Sequence, residues 1–492
     1  MTEESPKEEI LINVTPSEVR AALLENGVLQ EVYIERATRR GLISNIYKGR
    51  VSRVLPGMQA AFIDIGLERT AFLHASDIAS PDVLGNGDAV PNIKDLVREG
   101  DGIMVQVVKD PLGNKGARLT TYITLPSRHV VLLPHSTSVG VSSRIEDEEE
   151  RARLRTMVED LLEEHGLKCG AIVRTVAEGS SNEALSDDLR YTLKLWHVVQ
   201  ERCGLANVKT LVHEDLSLPL RVLRDLVTTD VEKILVDSAP DFTAMQEFSN
   251  TYLPEAEKML ELYERRRPIF DLHGIEDEIS RSLDRNIPLK SGGYLIFDQT
   301  EAMTTVDVNT GGYVGHRNLE ETIYRTNLEA AVAIARQLRI RNLGGIIIID
   351  FIDMEEEGHR SNVLQVLENS LSRDHARHQI TPVSPLGLVE MTRKRTRESL
   401  QHVLGEDCPG CSGRGFVMTA ETVCFEVFRE IIRQSRQFDF EEVLVLAHQD
   451  VIEMLLDEQA RSFAELEVQT GKSIRLQPES LYLQDQFDVV LM

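Results

Sequence analysis

The sequence predicts a multidomain protein of mixed α+β structure, and three observations point there. The chain runs to 492 residues, well beyond one ordinary domain. Its texture changes along its length, from short glycine-punctuated strand runs to apolar positions at helical spacing. Two apolar, β-branched runs, 302–309 and 345–353, each deliver a carboxylate where the run stops.

In chain order, residues 10–38 alternate apolar and polar positions around a stretch, 16–24, that reads as helix. From Ile46 to about residue 121, short runs such as 59–66 and 70–73 are separated by Gly49, Gly57, Gly66, Gly102 and Gly113. Five or so short strands with glycine corners fit an OB-type barrel, with 79–93 as a polar loop. Phe62 and Phe72 lie in successive strands. Turned inward they fill the barrel, turned outward they stack bases, and Lys115 and Arg118 nearby tilt the reading towards RNA.

Residues 122–219 carry a strand at 130–134 and two helical patterns, Leu154, Met157, Val158, Leu161, Leu162 and then Leu185, Leu189, Leu193, Trp196, Val199. Between them a strand, 170–173, ends in Arg174-Thr175. A guanidinium beside a hydroxyl can bind a phosphate, and equally it can pair with a nearby acid. Residues 220–282 alternate helix and strand, with 232–237 as strand. Residues 283–404 form an α/β pattern with helices at 319–341 and 360–373 and strands at 379–383 and 388–391. A small helix-and-strand unit, 419–492, closes the chain.

The two carboxylate-ending strands carry the chemistry. If they are neighbours, Asp307 and Asp350 converge, with Asn309 beside them. Oxygen ligands of that kind suit Mg²⁺, which takes one or two protein carboxylates and keeps several waters. Metal-assisted phosphodiester cleavage is the usual use of such a site. Strand-end caps or structural ion pairs are the plainer alternative. Cys408-Pro-Gly-Cys411 reads as half of a zinc knuckle; the competing redox reading needs a thioredoxin-like setting, and this pair sits in a Gly-rich link. Cys169, Cys203 and Cys424 offer no second pair, so the simplest completion is the same pair from another copy of the chain.

A net charge of −26 argues against nucleic acid for the chain as a whole. Local basic clusters, 109–118 and Arg393-Lys394-Arg395 with Arg397, can still contact phosphate. Five cysteines in this length argue against a disulfide framework. No apolar stretch reaches membrane-spanning length, and the acidic N-terminus is no targeting signal, which predicts a cytoplasmic protein.

Taken in order, these motifs resemble the bacterial RNase E/RNase G endoribonuclease family. The resemblance rests on Gly113-Asn-Lys-Gly-Ala117 with Leu119-Thr-Thr121, Val173-Arg174-Thr175, Val306-Asp-Val-Asn309, Asp350-Phe-Ile-Asp-Met354 and Cys408-Pro-Gly-Cys411. With no long disordered arm after the tail unit, it is nearer the RNase G branch.

The family implies an RNase H-like subdomain split between 1–39 and 220–282, with an OB-fold RNA-binding domain (40–121) and a 5′-sensor domain (122–219) inserted. A DNase I-like catalytic subdomain (283–404), a zinc link (405–418) and a small dimerisation domain (419–492) follow. It implies that Asp307 and Asp350 hold catalytic Mg²⁺ and that Asn309 positions the scissile phosphate. Arg174, Thr175, Val131, Arg144 and Arg377 would surround a 5′-monophosphate, and Phe62, Phe72 and Lys115 would contact RNA. Cys408 and Cys411 would share a Zn²⁺ between chains. Ser127 stands where RNase E has glycine near the sensor.

The implied activity is hydrolysis of single-stranded RNA to 5′-phosphate and 3′-hydroxyl ends, serving rRNA 5′-end maturation and mRNA decay. The implied assembly is a homodimer, with pairing into tetramers left open. A non-enzymatic RNA-binding factor and a DNA-directed nuclease are the rival readings.

Overall fold

The computed structural model describes residues 7–38, 40–79, 92–111, 116–164, 169–228, 230–311 and 319–492. The chain divides into two compact units, Met1–Val403 and Leu404–Met492.

The first unit is built on four sheets. One holds five strands in the order Leu260–Leu262, Val231–Val236, Glu8–Val14, Glu18–Glu25, Val28–Arg36, so segments far apart in sequence share one sheet. Glu8–Val14 runs parallel to Val231–Val236 and antiparallel to Glu18–Glu25. The stretch 16–24 is therefore largely strand and not helix. Ala21 to Leu24 are all buried, and an apolar run buried on both faces has no strand periodicity to display. Ile10, Ile12, Ala21 and Leu23 pack against the helices Leu218–Asp225 and Ala239–Tyr252.

Residues 46–120 form the barrel. Ile46–Leu55, Ala60–Asp64, Ala71–His74, Arg118–Thr120 and Gly102–Lys109 pair in that order, and Gly102–Lys109 closes back on Ile46–Leu55. Closure removes the free edges. Next comes a four-stranded sheet, Val139–Val141, Gly170–Val173, Val130–Leu133, Leu125–Pro126, covered by the helices Glu148–Glu164 and Asn182–Leu205.

The fourth sheet has six strands: Asn286–Pro288, Tyr294–Gln299, Met303–Asn309, Gly345–Asp350, Leu388–Arg393, His378–Ile380. Met303–Asn309 and Gly345–Asp350 are parallel, and the helix Leu319–Ile340 lies between them in sequence. That helix and Glu357–Leu371 pack on one face through Ala331, Ile334, Leu338, Leu367 and Leu371 against Val306, Val308, Ile347 and Ile349. Alternate strand residues point the other way. Thus Asp307 and Asp350 sit on the face these helices leave open.

The second unit packs the helices Ala420–Gln437, Gln449–Leu456 and Ala460–Thr470 with a three-stranded sheet, Ser473–Pro478, Glu442–Ala447, Phe487–Leu491. Among the described residues no helix is long and apolar enough to cross a membrane.

Candidate active site and RNA-facing residues

The parallel register places Asp307 directly opposite Asp350. Asn309, two residues on, shares their face, and its Nδ2 donates to Asp307 Oδ2 at 2.9 Å. Gly293 makes room at this strand end, because a Cβ there would lie 2.5 Å from the Asn309 carbonyl oxygen. Asp353 follows on the turn after Asp350. Among the described residues no lysine or arginine forms an ion pair with any of the three aspartates. Partial burial, then the Asp307 and Asp353 charges, push the Asp350 carboxyl above its usual range.

No three His, Cys, Asp or Glu side chains converge as a ready-made cage among the described residues. Mg²⁺ needs no such cage. Two facing carboxylates with no ion-paired cation among the described residues are a donor set that a hard cation fits.

Sequence reasoning missed what holds this turn. Asn327, fully buried on the helix Leu319–Ile340, donates Nδ2 to the Ile352 carbonyl at 2.7 Å and accepts the Ile352 N–H at 3.1 Å. Arg360 donates to the Met354 and Glu355 carbonyls. The signal was present: an asparagine interrupts the apolar stripe that continues through Ala330, Ala331 and Ile334.

On the barrel, Phe62 and Phe72 alternate with the buried Ala61, Ile63, Ala71 and Leu73, so both point outward. They are register partners with ring centroids 6.2 Å apart, edge to face. The row continues to Arg53 on one side and Arg118 on the other, so two aromatic faces lie between two exposed guanidinium groups. Arg53 was not anticipated. Arg118 is tethered to Asp77 at 2.9 Å. Lys115 lies outside the described residues.

At the end of strand Gly170–Val173, Arg174 donates to the Ser127 carbonyl at 2.6 Å and to Asp225 at 2.8 Å. Thr175 Oγ1 shares a hydrogen bond with Ser142 Oγ at 2.9 Å. Val131 lies on the adjacent strand, opposite Ile172. Arg144 reaches across to the Asp374 and His375 carbonyls, just before the exposed Arg377. Ser127 does not intrude on this patch. Its Oγ donates to the buried Asp188 at 2.5 Å, and the same carboxylate accepts the His129 and Val130 N–H groups.

The second basic cluster is largely spent inside the fold. Arg393 is buried on Asp374, Arg395 donates to the Gly344 carbonyl, and Arg397 donates to the Val32 carbonyl and lies over the Tyr33 ring. Lys394 and Arg395 alone of the cluster stay exposed.

In the second unit the Cys408–Cys411 turn is accessible. The Gly415 N–H points at Cys411 Sγ at 3.4 Å, and this contact, with others from the same loop, lowers the Cys411 thiol. By contrast burial pushes the Cys424 thiol up to about 11 and raises Cys169 and Cys203 as well. Cys408 and Cys411 are thus the accessible pair, and two sulfurs are half of what a tetrahedral zinc site would need.

Family models match three segments: the S1 RNA binding domain at residues 43–121, the Ribonuclease E/G family at 124–396, and the RNase E/G Thioredoxin-like domain at 407–491. The chain is 55% identical to ribonuclease G of Salmonella typhimurium (strain SL1344), over 98% of this chain and 99% of that protein. It is 53% identical to ribonuclease G of Haemophilus influenzae over the same shares. With ribonuclease E of Escherichia coli (strain K12) the identity is 37%, over 91% of this chain and 42% of that protein.

Proposed function

The chain belongs to the ribonuclease E/G family, and from that premise we propose that it is a Mg²⁺-dependent endoribonuclease. It cuts single-stranded RNA, leaves a 5′-phosphate and a 3′-hydroxyl, and acts faster on RNA with a 5′-monophosphate. Its substrates in this reading are rRNA precursors and mRNA in the cytoplasm. The observation that supports it most is the register pairing of Asp307 with Asp350 on the sheet face that the helices leave open, without an ion-paired cation among the described residues.

Asp307 and Asp350 would hold the Mg²⁺. When bound, it would supply a water of lowered pKa and offset charge on the phosphate. Asn309 spends one amide proton on Asp307 and keeps the other for a phosphate oxygen, which would orient the scissile group. The outward Phe62 and Phe72 faces suit unpaired bases, which duplexes do not offer. Arg174 and Thr175, with Val131, Arg144 and Arg377 around them, would take the 5′-phosphate.

The test is cleavage of one labelled RNA bearing a 5′-monophosphate, 5′-hydroxyl or 5′-triphosphate, with Mg²⁺ and with chelator. Internal cuts only with Mg²⁺, fastest on the monophosphate, are expected. Binding without cutting would return the chain to the RNA-binding class. Zn²⁺ on Cys408 and Cys411 of two chains would join a homodimer, and pairs of dimers remain compatible with it. Metal analysis should return half a zinc per chain, and a full zinc on a monomer would overturn the shared site.

A further inference from the structure

Arg174 is held by an acid distant from its own Val173-Arg174-Thr175 motif. Asp225 Oδ1 accepts Arg174 Nη2 at 2.8 Å, while Ser127 O accepts Nη1 at 2.6 Å. The same carboxylate binds Arg224, Oδ2 to Nη2 at 2.9 Å and Oδ1 to Nε at 3.2 Å. Arg224 is buried and passes on to Asp215 at 3.0 Å. The result is a chain of alternating charge, Arg174–Asp225–Arg224–Asp215.

Its first two members come from different parts of the fold. Arg174 follows a strand of the four-stranded sheet, whereas Asp225 ends the helix Leu218–Asp225, which packs on the five-stranded sheet. Burial alone would raise the Asp225 carboxyl, but the Arg224 and then the Arg174 contacts outweigh it and hold it ionised.

Two consequences follow for Arg174. Anchoring both Nη atoms removes the freedom of a long side chain, while Nε–H and the unused Nη protons remain to donate. The two guanidiniums and two carboxylates balance in charge, so the pull on an anion rests on the N–H donors that Arg174 leaves unused.

We propose that Asp225 is a positioning residue for 5′-end recognition: it fixes the Arg174 guanidinium so that its free N–H edge meets a 5′-phosphate. The proposal rests on the reading of Arg174 as a phosphate-binding residue. A preset guanidinium loses less rotamer freedom when the phosphate arrives, so the benefit is confined to RNA that has one.

Asp225→Asn keeps the shape, and Asp215 still faces Arg224. The readout is the ratio of rates on two synthetic single-stranded RNAs, identical except for a 5′-monophosphate or a 5′-hydroxyl. The ratio of their affinities without divalent metal accompanies it. A ratio cancels any general loss of folded protein. Asp225→Asn should lower both ratios by about tenfold. Arg174→Ala should bring them close to one, and adding Asp225→Asn to it should lower them no further.

If Arg174→Ala leaves the ratios unchanged, Arg174 is not the phosphate ligand and the underlying reading falls. If Arg174→Ala collapses them while Asp225→Asn leaves them unchanged, Asp225 is merely structural. If Asp225→Asn raises them, the carboxylate competes with the phosphate. Either of these last results overturns the positioning role alone.

Discussion

The two ends of one six-stranded sheet treat aspartate in opposite ways. Strands Gly345–Asp350 and Leu388–Arg393 run antiparallel, with Asp350 opposite Leu388 at one end and Gly345 opposite Arg393 at the other. At the Arg393 end, Asp374 takes two hydrogen bonds from the guanidinium, at 2.6 and 2.9 Å, and a third from the Ala376 N–H. Burial would raise the Asp374 carboxyl, but the Arg393 bonds and charge overcome that and hold it below its usual range. At the Asp350 end, burial and like charge act together, and among the described residues no opposite charge offsets them. A closed charge holds a fold together, whereas an open one waits for a ligand.

The same substitution should therefore give opposite results at the two ends. The largest effect expected is on catalysis. Asp350→Asn or Asp307→Asn should slow RNA cleavage by about 10²- to 10³-fold, with RNA binding retained. Stability should not fall with it. A carboxyl raised in the folded state favours the fold below its unfolded pKa and loses that contribution as pH rises through the folded value. At pH 7 without divalent metal, Asp350→Asn should melt no lower than the parent, and any advantage should vanish in acid. A marked loss of stability at neutral pH would show that Asp350 is structural, and the contrast between the two ends would be lost.

Asp374→Asn should leave the carboxylate face chemically intact and destabilise the fold by about 3 kcal/mol, because it leaves Arg393 buried with an incomplete set of partners. The sign with pH reverses. A depressed carboxyl stabilises above its unfolded pKa and loses that contribution as pH falls through the folded value. Urea unfolding at pH 7 and at about pH 3 should show the gap between parent and variant closing in acid. A gap that persists unchanged would mean that the loss comes from packing and not from charge.

The sequence was most legible where chemistry and period coincide. The runs ending at Asp307 and Asp350 announce buried strands because their β-branched residues face a helix layer that the same stretch of chain supplies. The outward turn of Phe62 and Phe72 was not decidable from spacing, since a barrel strand alternates in either phase, and the burial of Ala61, Ile63, Ala71 and Leu73 settled it. Residues 16–24 misled because Ala21 to Leu24 are buried on both faces. Arg393 and Arg397 looked like surface charge, yet each reaches a partner distant in sequence, which composition cannot show. Asn327 and Asp225 were missed for a related reason. Each acts by holding another residue, and that relation exists only once the helices are in place.

Ser127 gives the smallest effect and the finest test of that lesson. The family resemblance sets it beside the proposed phosphate-binding patch, where its side chain looked able to alter the approach of RNA. In the fold its Oγ turns inward to Asp188, and only its carbonyl faces Arg174. Asp188 also accepts two backbone N–H groups, so it would stay satisfied without the serine. Ser127→Ala should thus cost about 1 kcal/mol, the net worth of one hydrogen bond. The carbonyl that steadies Arg174 would remain. Preference for 5′-monophosphorylated over 5′-hydroxyl RNA should stay at the parent value. A changed preference would mean that the side chain reaches the RNA after all, and that the division between inward structural contacts and outward functional ones is drawn in the wrong place at this position.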